Sequence, residues 1–274
     1  MTLTKVEVRT AQGTLLSLPL EDVSDGFVLT DVGGLGPVNA TIVTSSFAQM
    51  DGTQYHSASR EDREITISLE FESDYITNTV HDLRQRAYKF FMPKRWIGLR
   101  FYDSAGLEVD IQGVVKTCEP SIFTKEPGVD VTIICPNPDF YNRVPIVMAG
   151  NSTSGTTETL INYLGTVETG ITFTLNVNRT LTAFTIYHRA PDGTLRIMDF
   201  AAPLANGDVL TIGTVVGSKG ASLNRFGTVS SVLYGISPQS NWLQLDEGNN
   251  YIRVYAVGAA IPYTISYTDK YGGL

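Results

Sequence analysis

The 274-residue sequence lacks any apolar run near the roughly 18 residues that a membrane-spanning helix requires. Its first residues, MTLTKVEVRTAQG, contain no apolar signal segment, so we expect no secretory signal. Cysteine is scarce, since Cys118 and Cys135 are the only two and they lack CxxC spacing. This usage fits a protein made in a reducing cytosol, and we expect two buried thiols rather than a disulfide.

Signatures of catalysis and of metal binding are absent as well. The sequence contains no GxSxG, HExxH or GxxxxGKS/T motif, and its three histidines are scattered. Glu70 and Glu72 share one face of a predicted strand, as a glycosidase pair would, but the solvent side of an amphipathic strand explains them more simply. We therefore expect no catalytic residue, no cofactor and no metal, and we predict that the protein is not an enzyme.

Charge is unevenly distributed along the chain, whose formal net charge is −8. Residues 1–142 hold 12 basic and 20 acidic side chains, whereas residues 143–274 hold 8 of each. Six bases lie in the stretch RQRAYKFFMPKRWIGLRF (84–101), and an acidic block precedes it at residues 61–74, with Arg63 as its single base. An acidic block and a basic stretch therefore follow one another in the first half.

Alternating patterns predict antiparallel β-structure in the first half. In EITISLEF (64–71) every second residue is apolar, and hairpin turns are predicted further along the chain. One segment differs, because apolar residues recur with helical periodicity in NTVHDLRQRAYKFFMP (78–93). Asn78 or Thr79 can cap this helix with Asp82 in the capping-box position, and Pro93 ends it.

The second half reads as many short strands separated by turn sequences, with no helical pattern. This arrangement predicts an antiparallel β-sandwich or jelly roll. The proline-rich segment CPNPDFYNRVP (135–145) and the small polar residues after it predict a boundary near residue 142. We therefore predict two domains, residues 1–142 and residues 143–274.

The residues alone leave three interpretations of the basic stretch. Nucleic-acid-binding domains are usually net basic, whereas this one is net acidic, and only Tyr88 and Trp96 lie off the predicted core faces. A solvated helix face followed by an edge strand is a second interpretation. The third, which we favour, places the basic stretch of one subunit against the acidic block of the next. The candidate interface residues are Arg84, Arg86, Lys89, Arg100, Glu64, Glu70 and Glu72.

Several stretches resemble the distal tail proteins (Dit) of long-tailed, non-contractile phages. In the first half these are DGTQYHSASREDREITISLEF (51–71), LRQRAYKFFMPKRWIGLRF (83–101) and IQGVVKTCEPSIFTKEPGVDVTIICPNPDFY (111–141). In the second half they are INYLGTVETGITFTL (161–175), GDVLTI (207–212), WLQLDEGNNYIRV (242–254) and YTISYTDKYGGL (263–274). The resemblance thus covers nearly the whole chain.

The resemblance implies an architectural protein at the tip of a virion tail, assembled in the host cytoplasm. The N-terminal domain would be a split β-barrel with a packed helix, akin to tail-tube proteins, and would form a homohexameric ring. One face of the ring would meet the tail tube protein and the other the hub, or tail-associated, protein, and receptor-binding proteins are a further class of partner. DNA would pass through the central channel without specific binding, which an acidic domain favours because like charges repel.

The resemblance also implies that the C-terminal domain is a galectin-like or carbohydrate-module-like sandwich. An alternative function is therefore a carbohydrate- or host-receptor-binding module on this domain, although fold alone does not assign one. Trp242, Tyr251 and Tyr255 are candidates for an aromatic platform. Tyr251 and Tyr255 share a strand face that could equally belong to the sandwich core.

Overall fold

The computed structural model describes residues 2–48, 51–76, 78–121 and 124–274, and most of these residues lie in antiparallel strands. The chain divides into two compact units, one of residues 1–143 with Tyr271–Leu274 and the other of Val144–Lys270. The predicted fold class, mainly β with a single helix in the first half, is confirmed for the described part of the chain.

The first unit is built on one large antiparallel sheet. The strands of this unit are β1 (Leu3–Thr10), β2 (Leu15–Pro19), β3 (Val23–Ser24), β4 (Phe27–Gly33), β5 (Ala40–Ser45), β6 (Gln54–Arg60), β7 (Arg63–Phe71), β8 (Trp96–Asp103), β9 (Glu108–Ser121), β10 (Gly128–Cys135) and β11 (Phe140–Asn142). The order across the sheet is β2-β1-β8-β9-β10-β7-β4-β3. A parallel bridge between Leu20 and Leu29 brings the two ends of this order together, so the sheet rolls towards a barrel.

Strand β7 shows why these residues form this sheet. Ile65, Ile67 and Leu69 alternate with polar residues and are at most 2% exposed, whereas Glu64 and Glu70 face solvent. The predicted alternation is therefore confirmed, and it fixes the register because a slip by one residue would turn the apolar side chains outward.

The helix α1 (Val80–Phe91) packs against the sheet through buried residues on one face. These residues are Leu83, Ala87, Phe90 and Phe91. Thr79 caps the start, because its Oγ1 accepts from the Asp82 N–H at 3.3 Å while the Asp82 carboxylate accepts from the Thr79 N–H at 3.3 Å. The helix ends before Met92, whose extended conformation is the one that a following proline, Pro93, favours.

The second unit is a sandwich of two antiparallel sheets. Its strands are β12 (Ile146–Asn151), β13 (Thr159–Tyr163), β14 (Thr169–Gly170), β15 (Thr172–Asn176), β16 (Leu181–Arg189), β17 (Leu195–Leu204), β18 (Val209–Gly213), β19 (Gly220–Arg225), β20 (Thr228–Ser231), β21 (Gln244–Leu245), β22 (Gly248–Tyr255) and β23 (Pro262–Tyr267). One sheet has the order β12-β23-β15-β18-β19-β20, and the other has the order β13-β22-β16-β17. Phe173 and Phe184, from opposite sheets, lie 5.9 Å apart and belong to the shared core.

The units differ from the predicted ranges at their ends. Arg143 groups with the first unit, and so does the last segment of the chain, Tyr271–Leu274, which begins at the second residue of the short strand β24 (Lys270–Tyr271). The physical reason is hydrogen bonding within the first unit, where Arg63 donates to the carbonyl oxygen of Gly272 at 2.6 Å and the Leu274 N–H donates to the carbonyl oxygen of Leu35 at 2.9 Å.

Candidate functional site

The basic face of α1 is partly engaged within its own unit. Arg86 forms an ion pair with Asp25 at 3.4 Å, and its guanidinium lies 5.6 Å from the centroid of the Phe27 ring. The Arg84 guanidinium is 3.0 Å from His81 Nδ1. Lys89 is exposed and has no ion pair within the described residues. Arg84 and Lys89 therefore have no ion pair within the described residues, whereas Arg86 pairs with Asp25 of the same unit.

Of the other candidate interface residues, two form ion pairs within the first unit and two do not. Arg100 makes a bidentate pair with Asp110, at 2.6 and 2.9 Å, and this hydrogen bonding raises the pKa of the arginine. Glu64 pairs with Lys116 at 3.0 Å across the sheet surface. Glu70 and Glu72 are exposed, and the described part of the chain supplies no ion pair to either.

A second feature of the first unit is a two-stranded arm, formed by β5 and β6, that is exposed on both faces. Within its strands every residue but Ser45 is exposed. Ile42 is 61% exposed and Tyr55 is 62% exposed, and the pairing of the strands places both on the same face. An isolated pair of strands is marginally stable in water, so an arm of this kind favours a partner.

The base of the arm is held firmly. Arg60, at the end of β6, donates to both carboxylate oxygens of Asp139, at 2.6 and 3.2 Å, and the Asp139 side chain is 5% exposed. Thr41 Oγ1 donates to Glu61 at 2.7 Å beside it. These bonds fix the direction in which the arm leaves the unit, which lowers the entropy lost when a partner binds.

Arg63 lies next to that base and is 1% exposed. Its guanidinium donates to the carbonyl oxygens of Pro138, Gly34, Gly36 and Gly272 at 2.6 to 2.7 Å. The same group lies 4.3 Å from the centroid of the Phe140 ring. One buried cation thus joins the β4–β5 loop, the β10–β11 loop and the C-terminal segment, and burial lowers the pKa of Arg63.

On the second unit, arginine and tyrosine side chains interleave on the outer face of the four-stranded sheet. Arg189 lies over the Tyr251 ring and Arg253 over the Tyr187 ring, each 4.1 Å from the ring centroid. Tyr255 is on the same face of β22, half-buried, while Asn250, Ile252 and Val254 point into the core. The alternative that Tyr251 and Tyr255 belong to the sandwich core is therefore wrong.

The structure does not gather the three aromatic candidates into one platform. Trp242 is half-buried against the core of the sandwich and has Lys219 Nζ 5.6 Å from its ring centroid. Tyr251 and Tyr255 lie instead on β22, where they pair with Arg189 and Thr185 of β16. The surface that the tyrosines share is an arginine–tyrosine stripe.

A buried histidine supports the turn that precedes β22. His188 is 0% exposed, and its Nε2 lies 2.9 Å from Asn250 Oδ1. Asn250 uses its amide hydrogens on the carbonyl oxygens of Asp246 and Gly248, so His188 must donate from Nε2. Nδ1 then carries a buried lone pair without a hydrogen bond, and burial lowers the pKa of His188.

Within residues 2–48, 51–76, 78–121 and 124–274 no three His, Cys, Asp or Glu side chains cluster in a way that could hold a metal ion. Both cysteines are free thiols, and burial raises the pKa of Cys118 and of Cys135 to about 11. Across the same ranges no helix is long and apolar enough to cross a bilayer.

Comparison with known proteins agrees with this architecture. Residues 164–271 match the model of a family described as siphovirus-type tail component, C-terminal domain. The crystal structure of the Dit protein of phage SPP1, described as a paradigm of hub adsorption apparatus in phages that infect Gram-positive bacteria, superposes with a TM-score of 0.70. It is 16% identical, and the match covers 97% of this chain and 98% of that chain.

A chain from the baseplate of phage P2, in its activated conformation with calcium, matches with a TM-score of 0.49 and 10% identity over the whole of both chains. No curated protein matches the sequence. Residues 164–271 therefore resemble the C-terminal domain of siphovirus-type tail components. The resemblance of the chain to the distal tail proteins of long-tailed phages is confirmed, which supports a structural role in a tail.

The sequence patterns predicted neither the β5–β6 arm nor the buried position of Arg63. Arg63 has the same strand parity as Ile65 and Ile67, so the alternation already placed this base on the core side of β7. In the arm, Ile42 and Val43 are adjacent within a Ser- and Thr-rich segment, so β5 shows no apolar–polar alternation, and β6 is too polar to indicate a strand by hydrophobicity.

Proposed function

We propose that this protein is an architectural component of a phage tail tip, in which six copies form a closed ring that joins the tail tube to the baseplate hub. The ring leaves a central channel through which DNA passes. The tail tube protein and the hub protein are its axial partners, and receptor-binding proteins are a further class of partner. Assembly takes place in the host cytoplasm.

The observation that carries this proposal is the β5–β6 arm. It is exposed on both faces, anchored at its base by Arg60 and Asp139, and bears Ile42 and Tyr55 on one uncovered side. An exposed arm that is anchored at its base suits contact with a neighbouring copy. Because the arm and the surface that receives it are different parts of the subunit, the contact is heterologous and can close into a ring.

Charge supports the same arrangement. Arg84 and Lys89 on one side, and Glu70 and Glu72 on the other, have no ion pair within the described chain and remain available between subunits. Exposed pairs of this kind contribute little affinity but favour one relative orientation over others. Arg86, Arg100 and Glu64 make their pairs within the unit and take a lesser part.

Imaging of the purified full-length chain tests the ring. Negative-stain electron microscopy at micromolar concentration should show annular particles with sixfold rotational averages. Particles of subunit size at every concentration, together with tails assembled without a ring of this protein, would exclude the proposal.

A second candidate function is recognition of a carbohydrate or host receptor by the second unit. The arginine–tyrosine stripe favours it, because Tyr251 and Tyr187 lie on the outer sheet face beside the guanidinium groups of Arg189 and Arg253, which combines aromatic and hydrogen-bonding groups on one surface. Binding of the full-length protein to a glycan array, lost in Tyr251→Ala and Tyr187→Ala, would support this function. An array without signal above that of the variants would remove it.

A further inference from the structure

The outer face of the first unit carries a depression centred on Gly98. In the sheet this glycine pairs with Arg9 on β1 and with Gln112 on β9, and Trp96 and Arg100 flank it along β8. A Cβ atom at position 98 would have the carbonyl oxygen of Arg9, at 4.0 Å, as its nearest neighbour. The space above the glycine is therefore open, with four large side chains around it.

Three clefts adjoin this depression, and the smallest, of about 130 Å³, is lined by Glu7, Gly98 and Asp110. The remaining two flank Trp96. One, of about 310 Å³, lies between Arg9 and Trp96 over Gly98. The other, of about 350 Å³, runs from Trp96 to Tyr141 and is lined mainly by apolar atoms. Trp96 is 53% exposed between them, so the rim of the depression offers an aromatic surface that the unit itself does not cover.

The carboxylates that line these clefts are already neutralised. Asp110 is held by Arg100 at 2.6 Å, Asp139 by Arg60 at 2.6 Å and Glu7 by Lys5 at 2.8 Å. Covering the clefts with a neutral surface would therefore leave none of these carboxylates buried without a cation. Arg9 has no ion pair within the described residues, but it is exposed, and its long side chain can keep the guanidinium in solvent at the edge of the contact.

The β5–β6 arm carries side chains that suit this neutral, partly apolar depression. Residues 40–60 contain two formally charged side chains, Asp51 and Arg60; the first lies outside the two strands and the second is bound to Asp139. Ile42 and Tyr55 project from one face, and the opposite face carries mainly hydroxyl side chains. The arm is therefore a neutral, partly apolar element that stands uncovered in the chain that carries it.

We propose that the apolar face of the β5–β6 arm of one subunit docks into the Gly98 depression of the next subunit. The proposal rests on the ring function and specifies the contact that closes the ring. Each copy supplies one arm and one depression, so the same contact repeats around the ring with none left over. Gly98 keeps the depression open, and Trp96 packs against the incoming arm.

Filling the depression tests the contact. Gly98→Leu places a side chain in open space and should leave the melting temperature near that of the wild type, since substitutions at such sites change stability by about 0.5 kcal/mol or less. The variant should nevertheless be monomeric. Gly220→Leu is the matched control, because Gly220 also lies in a strand and has no atom within 4 Å of a built Cβ, but belongs to the second unit. The control should form the ring.

Cross-linking gives an independent readout. In a Cys118→Ser background, Ile42→Cys combined with Gly98→Cys should give a ladder of covalent species up to the hexamer with a short bis-maleimide. Ile42→Cys combined with Gly220→Cys should give none.

The outcomes separate the two proposals. If Gly98→Leu still forms the ring, and the Ile42→Cys, Gly98→Cys variant gives no cross-linked ladder, arm docking is overturned while the ring function stays intact. A wild-type protein that never forms a ring would overturn the ring function and the docking with it. A monomeric, well-folded Gly98→Leu together with the ladder supports both.

Discussion

Replacing Arg63 with methionine should destabilise the first unit strongly. The side chain is 1% exposed and donates four hydrogen bonds to backbone carbonyl oxygens. Removing the guanidinium leaves these buried acceptors unpaired, at a cost of about 1–3 kcal/mol for each one that water does not reach. Because the guanidinium regains hydration on unfolding, the net loss should be nearer about 3–5 kcal/mol, the usual effect of breaking a buried charged contact.

Urea unfolding followed by tryptophan fluorescence measures this loss, since Trp96 reports on the first unit and Trp242 on the second. Hydrogen exchange should also show faster exchange of the Leu274 amide, which the Arg63 cluster holds beside Leu35. Arg84→Met, which removes an exposed contact with His81, is the control and should cost about 0.5 kcal/mol or less. A loss below about 1 kcal/mol in Arg63→Met would refute the assignment of this residue as the centre that joins these segments.

Three further predictions follow from the helix and from the second unit. Thr79→Ala should lower the stability of the first unit by about 1 kcal/mol through loss of the cap, measured by urea unfolding, with no change predicted for the second unit. Replacing Arg84 and Lys89 together with glutamate should weaken the hexamer, measured by sedimentation velocity, more than it lowers the melting temperature. Arg86→Glu should instead lower the melting temperature, because Arg86 pairs within the subunit. A loss of melting temperature without a loss of hexamer in the Arg84 and Lys89 variant would mean that these two charges act within the subunit. Burial lowers the pKa of His188, so as the pH falls the unfolded state binds a proton at a higher pH than the folded state does. The stability of the second unit should therefore be complete above about pH 6.5 and decrease as the pH falls below that value. Melting temperature measured against pH should decrease less on acidification in His188→Gln than in the wild type.

Local patterns were sufficient to predict much of the fold. Alternation in β7 and helical periodicity in α1 each depend on neighbours in sequence, and both are confirmed along with the Thr79 cap. The return of the C-terminal segment to the first unit depends instead on Arg63 and Gly272, which are 209 positions apart. No pattern within a short window reports a contact of that kind.

The candidate interface was harder to predict for a related reason. Sequence shows where charges are dense but not which of them meet a partner across a sheet, as Arg100 meets Asp110 and Glu64 meets Lys116. The exposure of the β5–β6 arm and the open space above Gly98 likewise depend on which surfaces the other strands leave uncovered, and this is known only once the strand pairing is known.

The most direct test of the central claim is the mass of the wild-type protein in solution. Mass photometry or native mass spectrometry should give a single assembly of about 180 kDa, six times the subunit mass of 29.9 kDa. A particle of 29.9 kDa at all concentrations, or an assembly of another closed order, would contradict the account of a sixfold ring.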